Sequence, residues 1–159
     1  MRYAKIIRFD KSDLNIFPLI AEEGELAIVG TFSFFNLNVE NMKGKMKQAF
    51  SNGFLGVPSF GYSTFITLTE VSEEELKKLK VCLSDFFLKN YGAPSLEHAN
   101  KAADDEVNLM LDLCSSHDRG SLMSIYREIT KDGIKENFSH LPKADSCAEQ
   151  SIWTFEEEK

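Results

Sequence analysis

Apolar residues alternate with polar ones near both ends of the chain and recur at helical spacing through its middle, which predicts strands flanking helices. Tyr3 to Phe9 is rich in β-formers and reads as a first strand, stopped by Asp10-Lys11-Ser12-Asp13. Leu14 to Ala21 contains Pro18 and predicts an irregular or edge segment. After the turn Glu22-Glu23-Gly24, Glu25 to Phe35 reads as a second strand, with Thr31 and Ser33 alternating against Phe32 and Phe34. Gly30 within it predicts a bulge or a close approach by another element.

Asn38 is placed to cap a short helix, Val39 to Phe50, whose Met42, Met46, Ala49 and Phe50 share a face. A loop from Gly53 to Tyr62 mixes glycines with aromatics and leads into a strand from Thr64 to Val71. Ser72-Glu73-Glu74-Glu75 is a capping box opening a long helix, with Leu76, Leu79, Leu83, Phe86, Phe87 and Tyr91 on its apolar face. Gly92 and Pro94 end it. Ser95 caps a further helix, Leu96 to Ser116, striped by Leu96, Ala99, Ala103, Val107, Met110 and Cys114. Its acids Asp104, Asp105, Glu106 and Asp112 gather toward the middle. Leu122 to Thr130 and Ile134 to Phe138 flank Lys131-Asp132-Gly133, which predicts a tight hairpin. The resulting order, ββαβααββ, predicts an α+β fold: a mostly antiparallel sheet with helices packed on one face. Residues 1–141 read as one domain and 142–159 as an acidic C-terminal tail.

A net charge of −7 argues against a broad nucleic-acid footprint, and the Lys43/Lys45/Lys47 and Lys77/Lys78/Lys80 runs sit on predicted helices beside acids. Thirteen Phe predict a core built on aromatic packing. Cys82, Cys114 and Cys147 are odd in number and far apart, so neither a disulfide framework nor a zinc site is expected. Cys82 and Cys114 read as small core hydrophobes. The absence of a signal-peptide region or a membrane-length apolar run predicts a cytoplasmic protein without membrane partners.

Candidate chemistry is sparse. The nearest match to G-x-S-x-G, Gly61-Tyr62-Ser63-Thr64-Phe65, lacks the second glycine and leads into a strand, whereas a nucleophile elbow enters a helix. No phosphate loop or dinucleotide fingerprint is present. His98, Asp105 and Asp112 share one helical stripe but stand about 10 Å apart along it, too far for one ion. His117-Asp118 and His140 fall in predicted loops without an evident partner. Asp10 and Asp13 follow a strand, where loops often hold functional side chains, and turn chemistry explains them equally well. No catalytic residue, metal or cofactor is assigned.

One segment carries a binding expectation. In the Gly53–Tyr62 loop and just beyond it, Phe54, Phe60 and Tyr62 could wall an apolar pocket, with Ser59, Gly61 and Ser63 supplying polar contacts. Plugging the end of the sheet is the competing account of the aromatics. Ser151 to Glu156 alternates like a strand and carries Trp153, and self-packing or β-augmentation would use it.

The combination of RYAKIIRFD, GTFSFF and GFLGVPSFGYSTFI leading into a capped helix resembles a family of small uncharacterised bacterial proteins, through Cys114 and excluding the tail. The resemblance implies a bacterial, cytoplasmic setting and transfers no catalytic residues. Two functions are expected: a non-enzymatic accessory or protein-interaction domain, or a small-molecule-binding protein or enzyme with its pocket at the loop. The partner is a protein or a small molecule, and the late hairpin offers an edge for a homodimer.

Overall fold

The computed structural model describes residues 1–8, 13–35, 37–38 and 41–141. The expectations for Asp10, Cys147 and the 142–159 tail with Trp153 lie outside the described residues. Seven strands, β1 (Arg2–Ile7), β2 (Leu26–Ile28), β3 (Phe54–Val57), β4 (Tyr62–Ser63), β5 (Phe65–Glu70), β6 (Leu122–Thr130) and β7 (Gly133–Leu141), form one sheet. Its spatial order is β4-β3-β2-β1-β5-β6-β7, with every adjacent pair antiparallel. The helices are α1 (Asp13–Ile16), α2 (Gly44–Asn52), α3 (Glu73–Asn90) and α4 (Leu96–Ser115). The fold is α+β. Helix α3 packs on α4, α4 on β1 and β2, and α2 on β6 and β4. Because α2 touches strands from opposite halves of the sheet, the sheet curls around it.

The long helices form where their caps and stripes place them. The Ser72 hydroxyl accepts the Glu75 amide, while the Glu75 carboxylate accepts the Ser72 amide. Ser95 accepts from the His98 amide at the start of α4. Ala99, Ala103, Val107, Met110 and Cys114 are fully buried, whereas Leu96, expected in the same stripe, is 59% exposed on the first turn. The β6–β7 hairpin turns over Lys131 and Asp132, pairing Thr130 with Gly133.

Two expectations about the sheet are corrected. The strand foreseen from Glu25 to Phe35 ends at Ile28, and a 3-10 turn follows at Thr31–Phe34. Gly30 causes the break, with φ of 79°, and a Cβ there would lie 2.6 Å from the Cβ of Leu55. The close approach expected at Gly30 is real, but it ends the strand instead of bulging it. Three-residue spacing then buries Thr31 and Phe34 together. Second, the glycine-aromatic stretch is ordered sheet: β3, a turn holding a cis Val57–Pro58 peptide, and β4. All four β3 residues are buried, so both faces of that strand are covered. These two strands are additional to the expected order. Among the described residues, helix α2 starts at Gly44, later than the Asn38 cap predicted.

Candidate functional site

The six residues expected to bind a ligand are spread between the core and the half-buried turn. Phe54 is fully buried and stacks on Phe138 of β7, with ring centroids 6.5 Å apart. Tyr62 is buried against Phe34, and its hydroxyl lies 3.2 Å from the Ser33 hydroxyl. Gly61 and Ser63 are buried. Ser59 donates its hydroxyl and its amide to the Glu25 carboxylate, at 2.6 and 2.7 Å, which ties the turn to the start of β2. Phe60 is half-buried and stacks on Phe86 of α3 at 3.7 Å. The adjacent groove, about 260 Å³, is lined by Leu26, Val57, Pro58 and the α3 residues Glu75, Lys78, Leu79 and Cys82, and by none of the six.

A different constellation collects at the other end of the broken second strand. Arg127 occupies the inward face of β6 in phase with Met123 and Ile125 and is 1% exposed. Its Nε donates to the Thr31 hydroxyl at 2.7 Å, Nη1 to the carbonyls of Phe50 and Ala49, and Nη2 to that of Val29. Ala49 and Phe50 belong to the last turn of α2, where the helix dipole favours a cation. The guanidinium also stands 5.1 Å from the Phe34 ring centre. Burial lowers the Arg127 pKa to about 10, a shift opposed by Glu136, Tyr62 and Glu106, so it stays charged at neutral pH.

Thr31 passes the contact outward, donating its hydroxyl to the Glu136 carboxylate of β7. Beside it, Glu106 of α4 accepts the Gly30 amide at 3.4 Å. Burial raises the Glu106 pKa to about 7; Glu136 and Asp105 add to the rise, while the Gly30 amide and Arg127 oppose it. Both carboxylates open onto a cleft of about 500 Å³ bounded by Thr31, Phe32, Phe35, Gly133 and Ile134. A carboxyl that titrates near neutrality can exchange a proton with whatever occupies that cleft.

The Glu106 shift sets a pH dependence of stability. An unfolded Glu106 titrates near 4.5 and the folded one near 7. Below 4.5 both states hold the proton, and the contribution of this group to stability is complete. Between 4.5 and 7 the unfolded chain releases its proton first, so stability falls as pH rises and the contribution is gone above the folded value. The loss is about 3 kcal/mol at most. Urea midpoints measured across this window should show the fall in the native chain and its absence in Glu106→Gln. An equal fall in both would remove Glu106 as its source.

The remaining candidates separate. His98 pairs with Ser95, and Asp105 with Lys101, as ordinary surface contacts. His140 lies on β7, not in a loop, and its ring stacks on that of His117 at 3.6 Å. Burial, with the neighbouring charge of His140, lowers the His117 pKa against the pull of Asp118. Cys114 is fully buried and its thiol is pushed up to about 12, which fits an inert core residue. No three His, Cys, Asp or Glu side chains converge as a metal set among the described residues. None of the described helices is long and apolar enough to cross a membrane.

The missed site carries a signal in the sequence. Glu106 falls in the α4 stripe between Ala103 and Met110, Arg127 two residues beyond Ile125, and Glu136 between Ile134 and Phe138. Each is a charge at an apolar phase. A family model described as a family of unknown function (DUF6505) matches residues 1–156, extending beyond Cys114 into the tail. No curated protein and no solved structure matches the chain.

Proposed function

We propose that this chain, which belongs to that family of unknown function, binds a small molecule in the cleft between the 3-10 turn, α4 and β7. One observation carries the reading: Glu106 and Glu136, from elements far apart in sequence, converge on a single cleft. Each is anchored to the 3-10 corner through one of its carboxylate oxygens. Burying carboxylates is costly, and a fold that places two of them beside one cleft uses positions that apolar residues would otherwise fill. The cleft volume, about 500 Å³, falls in the range of ligand pockets. This is the pocket expectation moved from the Gly53–Tyr62 segment to the opposite side of the Gly30 corner. Glu106 is the proton-exchanging group, Glu136 the carboxylate held by the Thr31 hydroxyl, and Arg127 a positioning residue that holds Thr31.

A fragment screen read by amide chemical shifts tests it. Fragments should move the amides of Thr31, Phe35, Gly133 and Ile134, and Phe35→Ala should weaken them. Fragments that gather instead at the Val57–Pro58–Cys82 groove, or nowhere, would remove the assignment.

A second reading, the protein-interaction domain, draws on an aromatic row. Phe60 stacks on Phe86, Phe86 continues to Tyr91 at 5.4 Å, and Tyr91 is 37% exposed. Crosslinking from position 91 to a copurifying protein would favour it over the cleft.

A further inference from the structure

We infer, resting on the small-molecule reading, that the ligand of this cleft is an organic ammonium ion with an apolar or aromatic body. Charge argues first. The cleft presents two carboxylates, and among its described lining residues there is no Lys, Arg or His. Arg127, the cation behind it, is withdrawn: it is 1% exposed and its donors are committed to Thr31 and three backbone carbonyls. An anionic ligand would therefore meet carboxylates with no free cationic side chain to offset them, while a cation would meet a counter-charge directly and favour the ionised form of Glu106, whose pKa burial raises to about 7.

The walls specify the rest of the molecule. Phe35 is 67% exposed at the cleft mouth, and Phe32 lies half-buried behind it, held edge-on against Phe87 and Tyr91. Ile134 closes the β7 side. An exposed phenyl beside carboxylates offers a cation–π face and an apolar contact to one ligand at once. A hard inorganic cation fits less well. Calcium takes six to eight oxygen ligands, and magnesium a near-ideal octahedron. Here the described donors are two carboxylates and a Thr31 hydroxyl already donating to Glu136, while the aromatic walls would be idle.

The test titrates the full chain at neutral pH with three probes of similar size, read by amide shifts. They are phenethylammonium chloride, phenylethanol and sodium phenylacetate. The ammonium should move the amides of Thr31 to Phe35 and Gly133 to Glu136, and should bind about tenfold or more tightly than the other two. Glu136→Gln should weaken the ammonium by about tenfold and leave phenylethanol unchanged. Phe35→Ala, a substitution at an exposed position, gives a second loss of binding should Glu136→Gln fail to fold. Phenylethanol or phenylacetate binding at the same amides as tightly as the ammonium would overturn the ligand class and leave the small-molecule reading standing. No shift at these amides with the ammonium at about 10 mM would also overturn the ligand class. The wider fragment screen then judges the small-molecule reading separately.

Discussion

Replacing Arg127 with Met should lower unfolding stability by about 3–5 kcal/mol, the range for removing one partner from a buried charged network. Substituting an apolar side chain for a buried ion pair is often neutral, because both charges leave together. That escape is closed here. Three of the four acceptors are the main-chain carbonyls of Val29, Ala49 and Phe50, which no side-chain replacement removes. Those of Val29 and Phe50 would lose this donor, at a cost of about 1–3 kcal/mol each where water cannot replace it, while the Ala49 carbonyl keeps the Gly53 amide. Glu136 would also lose the cation that Thr31 links it to. Lys should rescue poorly, since one ammonium cannot span the directions that the guanidinium serves. The urea midpoint should fall with an unchanged slope, which reports stability and not a change of denatured state. A loss below about 1 kcal/mol would mean that the carbonyls find other partners, and that Arg127 does not hold the Gly30 corner.

Where the sequence uses local rules, the fold follows it closely. The Ser72 capping box, the Ser95 cap and the Asp132-Gly133 turn each depend on residues within a few positions, and each is present. The second strand failed because its outcome depends on a distant side chain. Alternation continues past Ile28, but Leu55 lies so close to Gly30 that the chain turns there into a 3-10 step. The Gly53–Tyr62 stretch misled for a related reason. Glycine there signals close packing against the Leu19–Ala21 segment and Glu25, and the stretch expected as a loop is built as β3, a turn and β4. Grouping Glu106 with the other acids in the middle of α4 hides the carboxylate cleft. Its phase with Ala103 and Met110 sets it apart from Asp104, Asp105 and Asp112. Periodicity locates a charge on a buried face, but only the three-dimensional meeting of α4, β6 and β7 shows what shares that face with it.

Gly61→Ala should be a severely disruptive single-methyl change. A Cβ at this position would stand 2.2 Å from the carbonyl carbon of Ile20, 2.3 Å from its oxygen and 2.5 Å from the Ala21 nitrogen. All three are main-chain atoms, so no rotamer change relieves the contact. Only separating the Leu19–Ala21 segment from β4 would make room, and that segment is held by two hydrogen bonds, Tyr62 N–H to the Leu19 carbonyl and Ala21 N–H to the Tyr62 carbonyl. Their rupture, added to the steric displacement, should cost about 3–5 kcal/mol and bring the chain near the limit of a marginally stable domain. Gly92→Ala supplies the comparison. Its φ of 66° disfavours a side chain, yet a Cβ there would meet nothing within 4 Å. Backbone preference alone should then cost about 1–2 kcal/mol. Melting temperatures for the two variants separate steric exclusion from conformational preference. Equal losses would show that the Leu19–Ala21 segment yields freely, and that the turn between β3 and β4 is not pinned by it. A much larger loss at Gly61 would assign that glycine to packing, and with it the aromatic-glycine stretch to the structural core.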